Sequence, residues 1–446
     1  MKKTLSLLLL LWSGGAVLIA DGVPTDGKVV TLDVDAAVAL ALENNVSLKE
    51  TQISLKAASR NVRASWNNFL PSIDLATSLV ASGEVLTATN ASTTMDPWRV
   101  EASLGATFSL NAGIAPAVEQ TKLAFEAAHI SYTTARSDLA RGVRQLFFMT
   151  LALKENVRIK RENMDLAGKR YQKAQTNFDN GLAPELDVLT ARVNWESQKP
   201  AYTQAVLDYR TALLDLKETI GLENAADIEP VGSLQTEFRP LNHEKILKRW
   251  LDSVPDLQLK RNELQRMETA KAVTVCGNLT PTITLHGSWG TTVNDPWNGA
   301  SWDAGTFTDA GTIGFSLNFP LDGFIPESKK NIAILEADDA VARTRLEMQQ
   351  LRTSSVNTAN VLFMRLTSYR EKIELTALSS ELAEKTFALT EESYKSGTSE
   401  LLAVANAQQE LLNARQDYLM ARYNYLSTLI DLETFFDKTL EELTEE

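Results

Sequence analysis

One half of this chain is a version of the other. The segment that begins at residue 170 recurs over residues 386–437 at a constant offset of 216, without a gap. Asn180-Gly181 matches Ser396-Gly397, and Leu186, Val188 and Ala191 match Leu402, Val404 and Ala407. Tyr202, Tyr209, Leu213, Asp215 and Leu216 then match Tyr418, Tyr425, Leu429, Asp431 and Leu432. A duplicated chain of 446 residues is tested first for repeated or elongated architecture, before a single compact core.

The matched columns also repeat every seven residues: Val188, Trp195, Tyr202, Tyr209 and Leu216 in the first copy, Val404, Leu411, Tyr418, Tyr425 and Leu432 in the second. Strict sevenfold spacing specifies packed, supercoiled helices. Aromatic residues in such a stripe read as core, not as a ligand pocket.

Earlier parts of the halves correspond with small insertions. Leu70-Pro71-Ser72-Ile73 resembles Thr280-Pro281-Thr282-Ile283, Phe108-Ser109-Leu110-Asn111 recurs as Phe315-Ser316-Leu317-Asn318, and Asp96-Pro97-Trp98 as Asp295-Pro296-Trp297. Each half reads helix, strand, loop, strand, very long helix, tight turn, shorter helix. The first repeat is expected over 21–222, with a leading helix over 35–66, a strand pair over 72–110, a long helix over 116–178 and a return helix over 184–220. The second is expected over 244–437, with a leading helix over 245–275, a strand pair over 281–319, a long helix over 326–396 and a return helix over 400–436. Between them, 223–243 is rich in breakers and reads as a small mixed collar, and 438–446 reads as a tail. Pro200 inside the first return helix is expected to kink it.

After each proline the pattern changes to period two. Val100, Ala102, Leu104, Ala106, Phe108 and Leu110 share one face, with Glu101, Ser103, Gly105, Thr107 and Ser109 on the other. Ile73, Leu75 and Leu79 oppose Ser72, Asp74 and Ser78; Ile283, Leu285 and Trp289 oppose Thr284, His286 and Ser288; Ile313, Phe315, Leu317 and Phe319 oppose Thr312, Gly314, Ser316 and Asn318. Strands of about nine to eleven residues with one oily and one wet face suit an outer-membrane barrel, although a soluble sheet covered by helices would show the same alternation. Four strands cannot close, and eight leave an interior just wide enough to fill with side chains. Three chains would supply twelve strands and a lumen, with the polar segments 82–98 and 291–310 as outer loops. The long helices would each span on the order of 100 Å.

Lys2 and Lys3, the apolar run Leu5–Leu11 and Ala20 read as a signal peptide over 1–20, cut near Ala20; a membrane anchor is the alternative. No other stretch is long and apolar enough to be a spanning helix. The formal charge of −13 becomes −15 without Lys2 and Lys3, which disfavours nucleic acid as a partner. The lone Cys276 excludes a disulfide framework and reads as a small buried hydrophobe. His129, His243 and His286 have no metal-ligand spacing, and no phosphate loop or activated nucleophile appears. No cofactor and no enzymatic activity are expected.

Tyr171 to Ala191 and Tyr394 to Gln408, with a Gly-x-x-x-x-Leu-Asp-Val-Leu type of pattern, resemble the two hairpin tips of TolC-like outer-membrane efflux proteins. Ala36-Ala37-Val38-Ala39-Leu40-Ala41-Leu42-Glu43-Asn44-Asn45 resembles that family's N-terminal helix start. The likeness covers essentially the whole mature chain. It implies a mainly α fold with a transmembrane β part: a homotrimer whose 12-stranded outer-membrane β-barrel is continuous with a periplasmic α-helical barrel of coiled-coil helices. It also implies docking to a periplasmic adaptor and an inner-membrane pump of the RND or ABC type, with outer-membrane lipid around the barrel. Gly181, Leu182, Gly397 and Thr398 match the adaptor-contacting tip positions; both glycines also suit tight turns with a positive backbone angle. Phe178, Asp187 and Tyr394 match aperture positions. In the second half Ala403 and Asn406 stand where the family pattern has paired acids, so an acidic ring would rest on three copies of Asp187, which on its own reads equally as solvated surface. A stand-alone diffusion pore and a soluble coiled-coil scaffold are the other readings. The long helices argue against the pore, and the oily strand faces argue against the scaffold.

Overall fold

The computed structural model describes residues 30–81, 98–222, 227–235, 238–294, 296–297, 299–303 and 305–444. The expected leader (1–20) and, apart from Trp98, the expected first outer loop (82–98) lie outside them.

Strand β1 (Val30–Leu32) leads into helix α1 (Val34–Asn44), where the Asp33 carboxylate accepts from the Ala36 N–H at 2.7 Å. The single helix expected over 35–66 is two. Asn45 ends α1, its N–H reaching the Ala41 carbonyl at 2.9 Å, and starts α2 (Val46–Ala64), its side chain accepting from the Leu48 N–H at 3.1 Å. One residue thus caps both helices. The first half continues through β2 (Ser72–Ala81), β3 (Trp98–Leu110), α3 (Ile114–Asp179, 66 residues) and α4 (Glu185–Ile220). Helix α3 starts at Ile114, before the expected 116, because Pro116 sits in its first turn, where no intrahelical N–H bond is lost. Helix α4 runs as one helix with Pro200 inside it.

The connector contains β4 (Ile228–Pro230), which pairs in parallel with β1 and ties the chain's beginning to its middle. The second leading helix also divides, into α5 (His243–Trp250) and α6 (Pro255–Leu279), with Pro255 opening the latter. Then come β5 (Thr282–Asn294), β6 (Thr308–Asn318), α7 (Lys329–Lys395, 67 residues) and α8 (Leu401–Phe436). The second outer loop is therefore shorter than 291–310, because residues at both of its ends pair in the ladder, Thr291 with Asp309 and Thr292 with Thr308. Helix α7 begins three residues after the expected 326, since Ser328 caps it by accepting from the Asn331 N–H at 3.1 Å. The expected tail contains α9 (Leu440–Thr444), opened by a reciprocal Thr439–Glu442 capping pair and anchored by Leu443, 4% exposed, in the core. Cys276 is only partly buried, not fully as its residue type suggested.

The four longer strands form one antiparallel sheet in the order β2-β3-β5-β6. Its register aligns every oily position: Ile73 faces Ala106, which faces Gly287, which faces Ile313, while Leu75, Leu104, Trp289 and Gly311 form the next row. The oily face stays bare. Ile313 is 88% exposed, Leu75 76% and Phe315 69%, and among the described residues no α-helix makes more than slight contact with the sheet. Within one copy this sheet is not covered by the long helices, and bare apolar area on this scale marks a surface that another phase or partner covers.

Toward the sheet the helices lie side by side in the order α2-α3-α6-α7; toward the hairpin tips the order is α4-α3-α8-α7. The heptad seams are core: Leu216 and Leu432 are fully buried, as is Val404, and Trp195 stacks on Tyr171 at 5.5 Å. Between the halves, Arg144 pairs with Glu433 at 2.6 Å and the Gln145 amide donates to Asp431 at 2.8 Å.

Candidate functional site

The two hairpin tips are built alike. At the first, Asn177 and Phe178 close the helix: the Leu182 N–H reaches the Asn177 carbonyl at 2.8 Å and the Gly181 N–H that of Phe178 at 2.8 Å. At the second, the Thr398 N–H reaches the Ser393 carbonyl at 2.9 Å and the Gly397 N–H that of Tyr394 at 3.0 Å. These crossed bonds require a left-handed residue, and Gly181 (φ 72°) and Gly397 (φ 78°) supply it. The turns leave Leu182, 77% exposed, and Thr398 on the surface.

Behind the turns the hairpins join. Ala174, Val188, Ala191 and Leu401 form a small buried cluster, with Tyr171 and Tyr394 packed against it. Burial pushes the Tyr394 phenol up from its ordinary range, the Asp187 carboxylate adds to the rise and Arg170 opposes it. The Asp187 carboxylate on the first hairpin thus acts on the Tyr394 phenol of the second. Phe178, Ala403 and Asn406 are exposed and outside that cluster.

The sequence pattern missed Arg170. Its guanidinium donates to Oε1 of Gln408, stands 3.9 Å from a Glu391 oxygen and lies over the Phe387 ring, 5.1 Å from the centroid. The Gln408 amide bonds back to Asn163 Oδ1 at 3.3 Å. Burial lowers the Arg170 pKa, with Glu391 pulling the other way. The signal for this node was a break in the repeat: Arg170 corresponds to Thr386 and Gln408 to Arg192, so the two polar partners have no counterparts in the other copy.

Among the described residues no group of His, Cys, Asp or Glu could hold a metal ion, and no helix is long and apolar enough to cross a membrane. What the geometry offers is surface: two exposed turns, a cross-hairpin polar node and a two-faced sheet.

Known proteins of this shape exist. The structure is similar to the CmeC outer membrane channel of Campylobacter jejuni, with a TM-score of 0.76, 19% identity and coverage of 90% of this chain and 85% of that one. It is similar to the outer membrane protein VceC of Vibrio cholerae, with a TM-score of 0.71, 16% identity and coverage of 91% and 96%. The open state of the MtrE outer membrane channel of Neisseria gonorrhoeae matches with a TM-score of 0.67, 18% identity and coverage of 93% and 91%. No curated protein sequence matches. At such identities the likeness concerns the fold. The sequence itself matches the family model described as "Outer membrane efflux protein" over residues 37–222 and 247–436. The chain belongs to the outer membrane efflux protein family; it is an outer-membrane efflux channel protein and not an enzyme.

Proposed function

We propose that three copies of this outer membrane efflux protein close into a duct that carries substrates from an inner-membrane pump, through a periplasmic adaptor, to the cell exterior. The observation that carries the reading is a pair of matched free edges. At sheet level these are β2 and β6, and the alternating directions of the four strands let β6 of one copy pair antiparallel with β2 of the next. At helix level, α4 leaves Leu186, Val193, Leu207 and Leu214 exposed at multiples of seven residues, and α7, at the opposite edge, leaves Leu375, Leu382 and Leu389. Nearer the sheet, α2 leaves Val46 and Ile53 exposed and α7 leaves Leu346. Knobs at heptad spacing need holes. Such edges are unlike each other, so they join head to tail into a ring, and closure geometry favours twelve strands for an open lumen.

In this ring the sheet forms an outer-membrane barrel with the oily face to lipid, and the long helices form a periplasmic barrel. A cleaved leader over 1–20 would direct export. The tip residues Gly181, Leu182, Gly397 and Thr398 contact the adaptor, and the pump is of the RND or ABC type. Phe178, Asp187 and Tyr394 surround the aperture. With Ala403 and Asn406 in the second half, three Asp187 carboxylates supply its acidic charge, and the resting channel closes less tightly and attracts cations less than one with paired acids.

Light scattering of the purified chain in detergent, followed by planar-bilayer recording, tests the duct: a trimeric mass and discrete conductance are expected. A monomer without conductance sinks the reading. Photo-crosslinkers placed at Leu182 and Thr398 test the docking, with capture of an adaptor expected and self-links alone counting against it.

A further inference from the structure

We propose that the turns joining the sheet to the helices form a binding surface for anionic phospholipid at the periplasmic face of the membrane. The inference rests on the duct reading above and names the class of lipid that this end of the barrel selects.

The chain reaches β2 through a short turn of helix, Ser65–Phe69, and leaves β6 into another, Leu321–Phe324. Both regions hold aromatic rings out to the surroundings: Trp66 is 58% exposed, Phe69 52%, Phe319 51% and Phe324 58%. Phe319 continues the oily column of Ile313, Phe315 and Leu317 beyond Asn318, the last residue of β6, so the apolar face runs on from the sheet toward the turn. Aromatic rings at the end of an apolar band mark a membrane–water boundary.

Cations lie just past that boundary. Arg60 and Arg63, at the end of α2, are within about 8 Å of the first turn along the helix axis, and Lys329 opens α7 directly after the second. All three are exposed, and among the described residues none has an ion-pair or hydrogen-bonding partner for its side chain. Lys330 is neutralised by Asp322 at 2.8 Å, and Glu327 is the one further acid in 60–70 and 319–330. This end of the sheet is therefore net positive on a chain whose formal charge is −13. The strands offer no rival site, since their only Lys or Arg is Arg99, which pairs with Glu101 at 2.6 Å.

The strand directions put the start of β2 and the end of β6 at the same end of the sheet. Pairing of β6 with β2 of the next copy then brings Lys329 toward the neighbour's Arg60 and Arg63, like charges that another copy of the chain cannot compensate. A headgroup of net negative charge between the turns neutralises them, within reach of their long side chains, while its acyl chains lie along the oily face. Basic residues beside a membrane attract anionic lipid in this way, and the adjoining aromatic and apolar wall favours a lipid over free phosphate.

The test is the association of spin-labelled phosphatidylglycerol against spin-labelled phosphatidylcholine with the full-length trimer in phosphatidylcholine vesicles, read by electron paramagnetic resonance. In dilute salt the wild type should favour phosphatidylglycerol by about twofold or more, and the preference should fall toward parity at about 1 M salt, where the Debye length is about 3 Å. The triple variant Arg60→Gln, Arg63→Gln, Lys329→Gln should stay at parity in both salts. A trimeric wild type without the preference, or a triple variant that keeps it, overturns this inference and leaves the duct standing. Loss of the trimer by the triple variant in phospholipid-free detergent would place these cations in a protein seam and also overturn it. Trp66→Phe gives a second reading: it should remove part of the tryptophan emission that phospholipid brominated near the headgroup quenches, and an unchanged quenched fraction would put the ring against protein. Absence of any trimer in the wild type overturns the duct reading itself.

Discussion

Arg170 on the first long helix donates a hydrogen bond to Gln408 on the second return helix, so one largely buried cation spans the two hairpins just behind their tips. Its side chain is 13% exposed, and its Nη2 has no hydrogen-bond partner among the described residues, Glu391 being 3.9 Å away. Burial is the largest influence on the group and acts against its charge. A cation held in this way, with one nitrogen unpaired, is weak evidence for net stabilisation.

That balance makes a signed prediction. Replacing the cation by an apolar chain of similar length, Arg170→Met, removes both the attraction and the desolvation cost, so stability should stay within about 1 kcal/mol of wild type. Gln408→Leu keeps the buried charge and removes its acceptor, which should cost about 2 kcal/mol. Hydrogen exchange at the amides of residues 176–182 and 393–399 reads both. If Arg170→Met loosens the tips more than Gln408→Leu does, the cation is a net stabiliser and the argument is wrong.

The same corner should respond to alkali. The folded Tyr394 phenol is held above its ordinary value of 10.0 by burial, with Asp187 adding to the rise. A folded pKa above the unfolded one means that the contribution is complete below the ordinary titration and is lost as pH rises through the folded value. Tip amides should keep their protection to about pH 10 and lose it above. Tyr394→Phe should remove that step at the tip, and Asp187→Asn should bring it to lower pH. Tyr209, Tyr423 and Tyr425, also raised by burial, lie outside the tip cluster and serve as internal controls.

Legibility in the sequence followed the range of the interaction. Period-seven and period-two patterns act between near neighbours, so the seams through Tyr209 and Tyr425 and the oily row through Leu104 and Trp289 could be read directly. Helix interruptions could not: Asn45 ends one helix and starts another through two short hydrogen bonds, and nothing apolar changes there. Strand β1 was invisible because three residues pair with a segment nearly 200 positions away. Arg170 and Gln408 were invisible for a related reason, since a long-range polar pair leaves no periodic trace and showed only as a lapse in the repeat.

Glycines separate conformation from contact. At Gly397 a Cβ would meet nothing within 4 Å, so Gly397→Ala should cost only the left-handed backbone, about 1–2 kcal/mol. At Gly221 (φ 70°) the added atom would also sit 2.7 Å from Asn44 Cβ and 3.2 Å from its backbone carbon. Gly221→Ala should therefore cost clearly more, in thermal unfolding monitored by circular dichroism. Equal costs at the two sites would mean that the contact between α1 and the end of α4 gives way.

The sheet's faces make a paired prediction. Phe315, 69% exposed, and Ser316 are adjacent on β6 and point to opposite sides. If the oily face meets lipid, Phe315→Arg should destabilise the folded barrel by about 2–4 kcal/mol near the bilayer midplane. Ser316→Arg should leave stability nearly unchanged and alter conductance instead. Refolding into vesicles measures the first and bilayer recording the second. The reverse pattern would turn the sheet inside out.

The helical edges decide assembly. Leu207 on α4 and Leu382 on α7 are 57% and 53% exposed, and substitutions at surface positions usually change a chain's own stability by no more than about 0.5 kcal/mol. A protomer that stood alone should accept Leu207→Asp or Leu382→Asp with helical content intact. A ring in which each column seats against the next copy has to bury the new carboxylate without a partner, and a carboxylate buried unpaired is strongly disfavoured. Both variants should keep the far-ultraviolet circular dichroism of the wild type and lose the trimer in light scattering. Since the two columns belong to opposite edges of one protomer, either change alone damages every interface of the ring. Trimers that persist in both variants would show that the exposed heptads are not the seam, and the closure argument would then rest on the strands alone.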